Sequence, residues 1–248
     1  MLRARSRARG GTSGASFTPA SISGLALWLD ANDPSTISQS GNAVSQWDDK
    51  SINGYNATSS GTNRPTTSVA TLNGKNVISF DGTDDYMSLP SGTYSIPSGD
   101  ATMFVVYRDN ANLIYKQPIC AKDGGSNRFR FMALGSTQFC SVHGNSAQQS
   151  SVLTTVGSTA GYIALMVSPD NGTNQRFYRS GVAEVGNNAV RTTFTATSFT
   201  VGAQDSTTNY WQGDIAEILI YTRVLTATER NQVGAYLASK WGAGYTNF

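Results

Sequence analysis

The sequence predicts an all-β fold, a two-sheet antiparallel jelly-roll sandwich with one C-terminal α-helix. Three observations predict it. Short apolar runs with period-2 alternation recur along the chain, with turn residues between them about every eight to fifteen positions. The polar residues are mostly neutral, with 30 Ser, 27 Thr and 18 Asn among 248 residues and only 14% charged. That composition suits strands and turns and argues against a helical bundle or coiled coil. Helix start and stop signals occur together once, near the C-terminus.

Leu25, Leu27 and Leu29 alternate with Ala26 and Trp28, and Asp30-Ala31-Asn32-Asp33-Pro34 closes this strand with turn chemistry. Val44 to Ser51 follows, then Asn53 to Thr58, where Asn53-Gly54 marks a tight turn because both residues tolerate positive φ. Val77 to Phe80 reads as a strand, with Asp81-Gly82-Thr83-Asp84-Asp85 as the turn behind it. Further strands are expected at Met103 to Tyr107, Leu113 to Ala121, Phe129 to Leu134 and Phe139 to Val142. The series continues with Tyr162 to Val167, Arg176 to Tyr178, Phe199 to Gly202 and Ile215 to Tyr221. Thr226-Ala227-Thr228-Glu229 then has capping-box spacing. Val233, Tyr236, Leu237 and Trp241 fall on one helical face, and Gly242 suits the left-handed residue that ends a helix.

The net charge of +2 is unevenly placed. Arg3, Arg5, Arg7 and Arg9 put four positive charges in the first nine residues, leaving a body with 14 basic and 16 acidic side chains. A Gly/Ser-rich stretch follows that cannot bury apolar area. Residues 1–16 are therefore expected as a flexible basic arm and residues 17–248 as one domain. Such an arm suits an anionic surface, such as a protein shell or nucleic acid, or is simply a solvated terminus. Four charges without interleaved aromatics fall short of specific nucleic-acid recognition. No apolar run reaches the roughly 18–20 residues that span a bilayer, and no apolar segment follows the basic residues as in a secretory signal. No membrane partner is expected.

Four stretches carry a resemblance. They are Gly24-Leu25-Ala26-Leu27-Trp28-Leu29-Asp30-Ala31, then Trp47-Asp48-Asp49-Lys50-Ser51 with Asn53-Gly54, then Phe80 to Tyr86, and finally Gly213 to Tyr221 running into the helix. In this order the chain resembles the concanavalin A-like, laminin-G-like jelly-roll superfamily, in the form found in bacteria and tailed phages. It departs from that pattern at Ile52, where the family usually has Gly. The resemblance implies a fold shared by lectins, glycosidases, adhesion modules and virion proteins, and fold alone does not choose among them.

Candidate chemistry follows from that range. Glucanase relatives imply a carboxylate pair, for which Asp214 and Glu217 are nearest. Residues three apart on a strand point to opposite faces unless a bulge intervenes, and so are not expected to share a cleft. No catalytic residue is assigned. Calcium-binding relatives imply a site at Asp81, Asp84 and Asp85, with Asp205 and Asn209 as further oxygen donors. The alternative for the first three is a turn whose carboxylates cap local amides. For a neutral glycan, Tyr210 and Trp211 offer rings to stack on sugar, and Asn209 and Gln212 offer amides for its hydroxyls. Trp28, Trp47 and Trp241 read as core. Cys120 and Cys140 lack zinc-site spacing and read as reduced core thiols, able to bridge only if their strands are neighbours.

The functional expectation is a non-enzymatic structural protein of a tailed-phage virion: a capsid decoration, head fibre or tail-associated component. Arg3, Arg5, Arg7 and Arg9 would anchor it to capsid or other virion proteins, while the jelly roll displays loops toward cell-surface glycan. Homo-oligomerisation is expected from the symmetry of such attachment sites. The alternative is a carbohydrate-binding or adhesion module of a bacterial surface protein, and the third reading is a glycoside hydrolase.

Overall fold

The computed structural model describes residues 17–90, 100–109, 115–125, 128–135, 138–144, 149–152, 161–168, 176–180, 182–184, 195–204 and 208–245. Arg3, Arg5, Arg7, Arg9 and Asp205 lie outside the described residues.

The strands are β1 (Leu25–Asp30), β2 (Ile37–Ser40), β3 (Ala43–Trp47), β4 (Ala57–Thr58), β5 (Thr66–Leu72), β6 (Lys75–Asp81), β7 (Met87–Ser88), β8 (Ala101–Asp109) and β9 (Ile119–Lys122). They continue as β10 (Arg128–Gly135), β11 (Gln138–Gly144), β12 (Gln149–Val152), β13 (Tyr162–Ser168), β14 (Arg176–Arg179), β15 (Val182–Glu184), β16 (Ser198–Val201) and β17 (Gln212–Tyr221). The helix is α1 (Ala227–Trp241).

All pairings are antiparallel, and they form one curled sheet folded into two layers. In the first layer β17 is central. It pairs with β8 along one side, and on the other with β6 through its first half and β1 through its second. That layer extends from β8 through β13, β14 and β15, and from β6 to β5. The second layer runs β2, β3, β4, β7, β16, β9, β10, β11, β12. The Ala43–Thr66 pairing of β3 with β5 carries the sheet from one layer into the other.

Alternation along the strands divides the apolar residues between two cores. Leu27, Leu29, Trp47, Ile78, Phe80, Val105, Phe129, Phe131, Phe199, Trp211 and Ile218 lie between the layers. Trp28, Val77, Phe104, Val106, Leu219 and Tyr221 face outward from the first layer and are covered by Val233, Leu237 and Trp241 of α1. Burying a large apolar side chain of this kind contributes about 1.5–3 kcal/mol, so the helix is an integral third layer.

Both helix signals act as expected. Thr226 Oγ1 accepts the Glu229 N–H, the Glu229 carboxylate accepts the Thr226 N–H, and Gly242 sits at φ 67°. One strand differs from expectation. In the run Leu113 to Ala121, residues 113 and 114 lie outside the described residues, and those from Tyr115 on form a strand only from Ile119, because Pro118 removes a ladder donor and Tyr115 adopts φ 62°. Ile52, the departure from the family pattern, is 98% exposed in the turn before Gly54 (φ 66°), so the side chain is accommodated in solvent. Among the described residues no helix is long and apolar enough to cross a membrane.

Candidate functional site

β6 ends at Asp81 and β17 begins at Gln212, and these two residues are register partners. The turn leaving Asp81 closes on itself. Asp81 Oδ1 accepts the N–H groups of Thr83 (2.8 Å), Asp84 (3.3 Å) and Asp85 (3.4 Å). Asp85 Oδ2 in return accepts the Asp81 N–H at 2.9 Å. Gly82 holds φ 79°, and a Cβ there would lie 2.6 Å from Gln212 Cβ. Only glycine lets the turn press this closely against β17.

Tyr86 follows the turn. Its ring centroid lies 6.4 Å from that of Tyr210 at an interplanar angle of 36°. Asn63 ties the segment down, donating from Nδ2 to the Asp84 carbonyl (2.9 Å) and accepting the Tyr86 N–H (3.0 Å). Asn209, at φ 56°, donates from Nδ2 to Gln204 Oε1 at 2.9 Å. Buried Gln117 donates to the same oxygen at 2.9 Å. Two groups of residues singled out separately in the sequence thus form one edge. Half-buried Tyr86 and Tyr210 are flanked by Asn209, exposed Gln212 and the carboxylates of Asp81 and Asp84.

Trp211 does not belong to this surface. It is 0% exposed, with its ring 5.6 Å from that of Tyr107 in an edge-on contact and its backbone N–H donating to the Gly202 carbonyl at 2.7 Å. Period-2 alternation explains the correction: Trp211 and Ile215 point into the inter-layer core, leaving Tyr210 and Gln212 to face outward. Of the two rings, only Tyr210 is on the surface. Tyr86 was missed, although its place directly after the acidic turn is visible in the sequence, because nothing local shows that β16 and β17 bring Tyr210 beside it.

The carboxylates of Asp81, Asp84 and Asp85 lie within 4.8 Å of one another. Burial, then repulsion from Asp81 and Asp84, raises the Asp85 pKa to about 7. Calcium takes six to eight oxygen ligands. Here Asp81 Oδ1 and Asp85 Oδ2 already accept the turn's own amides, and no fourth acidic side chain among the described residues joins the three. Among the described residues the set supplies three carboxylates toward such a cage, and the bonds it makes are to its own turn. It is the amide-capping turn that formed the alternative.

Asp214 and Glu217 depart from expectation in a different way. A β-bulge between Ile215 and Glu217 shifts the register against β8, and both carboxylates emerge on the helix-bearing face of the first layer. Each is nevertheless enclosed. Asp214, 2% exposed, accepts Ser79 Oγ (2.6 Å), Arg108 Nε (2.8 Å) and Arg108 Nη2. Glu217, 1% exposed, accepts Trp28 Nε1 (2.7 Å) and Tyr236 OH (2.9 Å) on Oε1, and Lys240 Nζ (2.8 Å) and Trp241 Nε1 (2.7 Å) on Oε2. Burial raises its pKa against the pull of Lys240. Lys240 also reaches Asp30 at 2.6 Å, and Lys50 bridges Asp30 (3.1 Å) and Asp33 (2.7 Å). Asp49 accepts the Trp28 N–H at 2.9 Å. Three of the four motif stretches and the helix therefore converge on one internal polar network, which holds the layers together.

Comparison with known proteins agrees with this architecture. No curated protein sequence matches the chain. Among solved structures, Trypanosoma rangeli sialidase in complex with 2,3-difluorosialic acid aligns with TM-score 0.64 and 16% identity, covering 95% of this chain and 35% of that one. Domain 4 of an extracellular arabinanase from Geobacillus stearothermophilus, in complex with arabinotriose, aligns with TM-score 0.58 and 13% identity, covering 83% and 95%. The binding domain of botulinum neurotoxin serotype D aligns with TM-score 0.58 and 11% identity, covering 89% and 55%. At these identities the likeness shows the fold, and the chain spans about a third of the sialidase chains. A laminin-G-like family model, described as Concanavalin A-like lectin/glucanases superfamily, matches residues 81–229. Matched over more than half its length, the chain belongs to that superfamily.

Proposed function

We propose that this chain is a non-catalytic carbohydrate-binding module whose ligand lies against the Tyr86–Tyr210 edge. The observation that carries this reading is the ring pair itself, 6.4 Å between centroids and half exposed, with Asn209 and Gln212 beside it. Aromatic faces accept the C–H faces of a sugar ring, and amides serve as both donors and acceptors for its hydroxyls. The domain-length likeness to an arabinanase domain bound to arabinotriose supports the reading. The enclosure of Asp214 and Glu217 supports a non-catalytic role, since hydrolysis needs two carboxyl groups facing one cleft. A glycan array tests it. A saturable hit should be lost in Tyr210→Ala and retained in Asp214→Asn; the absence of any hit, or sugar release from a polysaccharide, overturns it.

The setting we propose is a tailed-phage virion, with Arg3, Arg5, Arg7 and Arg9 docked on an acidic surface of capsid or other virion proteins and the jelly roll displayed outward, in the copy number of its attachment site. The charge split between arm and body supports this. Co-purification with intact particles, lost when the four arginines become alanine, is the expected result. Particles that retain the arginine-free variant in full would instead favour an adhesion module of a bacterial surface protein.

A further inference from the structure

A shallow, open groove of about 710 Å³ lies against α1. Gln232, Tyr236, Ser239 and Lys240 form its floor, spaced i, i+4, i+7 and i+8, beside the buried stripe of Val233, Leu237 and Trp241. Phe17 walls one side, with its ring 5.9 Å from that of Tyr236 and tilted by 58°. Lys75, at the start of β6, stands on the rim. The two lysines differ. Lys240 is held by Asp30 and Glu217, whereas no carboxylate among the described residues lies within salt-bridge distance of Lys75.

We infer that this groove is a second binding site, for a saccharide that carries a carboxylate. Its volume falls within the roughly 300–1,000 Å³ of small-ligand sites, which join apolar walls to a few convergent polar groups. The rings of Phe17 and Tyr236 meet the C–H face of a sugar, and Gln232 and Ser239 bond its hydroxyls. The Lys75 ammonium meets the carboxylate in a charge-assisted hydrogen bond. A neutral sugar leaves Lys75 without a counter-charge. A purely apolar ligand leaves Gln232 and Ser239 without partners, and a polyphosphate chain needs more uncompensated cations than the one that lines the groove among the described residues. The groove is distinct from the tyrosine edge. Lys75 and Asp81 stand at opposite ends of β6, six residues apart and so roughly 20 Å along an extended strand.

Calorimetric titration of the full chain with the trimer of galacturonic acid, and with the trimer of galactose as its neutral counterpart, tests the inference. The acidic trimer should bind saturably and at least about tenfold more tightly, a margin that shrinks as salt rises toward about 0.5 M. Lys75→Gln, with an unchanged unfolding midpoint, should abolish the margin; Phe17→Ala should weaken both trimers. Tyr210→Ala, just before β17 and beside the far end of β6, should leave the acidic trimer unaffected, so the groove can stand even if the tyrosine edge binds nothing. Equal affinity for the two trimers, no saturable binding, an unaltered Lys75→Gln, or loss of binding in Tyr210→Ala each overturns it.

Discussion

The indole N–H of Trp28 donates to Glu217 Oε1 at 2.7 Å across 189 residues of sequence. This bond joins the first strand of the body to its last, and the N–H of Trp241 completes the carboxylate from the helix side. Glu217 is therefore the point at which β1, β17 and α1 are held in register with one another. The same glutamate, viewed only as an acidic residue in a superfamily that includes glucanases, invites a catalytic reading; in the fold it is 1% exposed and accepts from four donors.

Glu217→Gln should consequently cost stability. The amide cannot accept from four donors, and it leaves Asp30, among the described residues, as the one carboxylate paired with Lys240. Removing one member of a buried, hydrogen-bonded ion pair typically costs about 3–5 kcal/mol. Urea titration should show a lower midpoint with an unchanged slope; a midpoint equal to that of the parent chain would mean that the network contributes nothing net.

Stability should vary with pH in two opposed limbs. The Asp85 pKa is raised from 3.8 to about 7, so the protonated acid favours the folded chain. That contribution is complete below about 4 and is lost as pH rises through about 7. Asp33, paired with Lys50, and Glu229, paired with Arg223, are held down at about 2. Their stabilisation is present above their ordinary values and disappears as pH falls toward 2. Unfolding midpoints should rise from pH 8 to pH 5 and fall below pH 4. Asp85→Asn should flatten the upper limb only, and a carboxyl resonance of Asp85 titrating near 4 would contradict this.

The two cysteines should both remain thiols. Cys120 is unbridged and buried on β9, Cys140 is on β11, and β10 runs between these strands. Two strand spacings separate the backbones by about 10 Å, beyond the roughly 7 Å that a disulfide spans. Thiol titration in denaturant should count two per chain, and reductant should not move the unfolding midpoint.

Thr226→Ala removes the oxygen that caps the Glu229 amide, while the backbone N–H of residue 226 and Arg223 still hold the Glu229 carboxylate. Loss of such a cap costs about 1 kcal/mol. Because α1 covers a core of its own, the loss should appear in global unfolding rather than as fraying confined to the helix. Amide exchange accelerated only in the first turn of α1, with global stability intact, would show instead that the cap acts locally.

Much of the fold was legible because its signals are local. Alternation at Leu25, Leu27 and Leu29 needs only neighbouring residues to be read, as does the Thr226–Glu229 spacing. Strands β2 and β5 escaped because they are short or polar: Ile37–Ser40 and Thr66–Leu72 owe their conformation to pairing with β3 and β6 rather than to their own apolar content. At the site, the Asp81–Asp85 turn and the Tyr210 neighbourhood were each visible. The error over Trp211 was one of phase, since a large aromatic beside polar residues shows no local sign of which face of the strand it takes.

By itself the sequence determined the order of strands and helix, the turn chemistry and the uneven charge, because these depend on residues within a few positions of one another. Tertiary structure alone decided that a bulge turns Glu217 toward Trp28 and Trp241, that Tyr86 meets Tyr210, and that Phe17 and Lys75 wall a groove with α1. Each of those is a contact between residues distant along the chain. The energy that selects them comes from burial and from pairing of desolvated charge, and both arise only once the layers close.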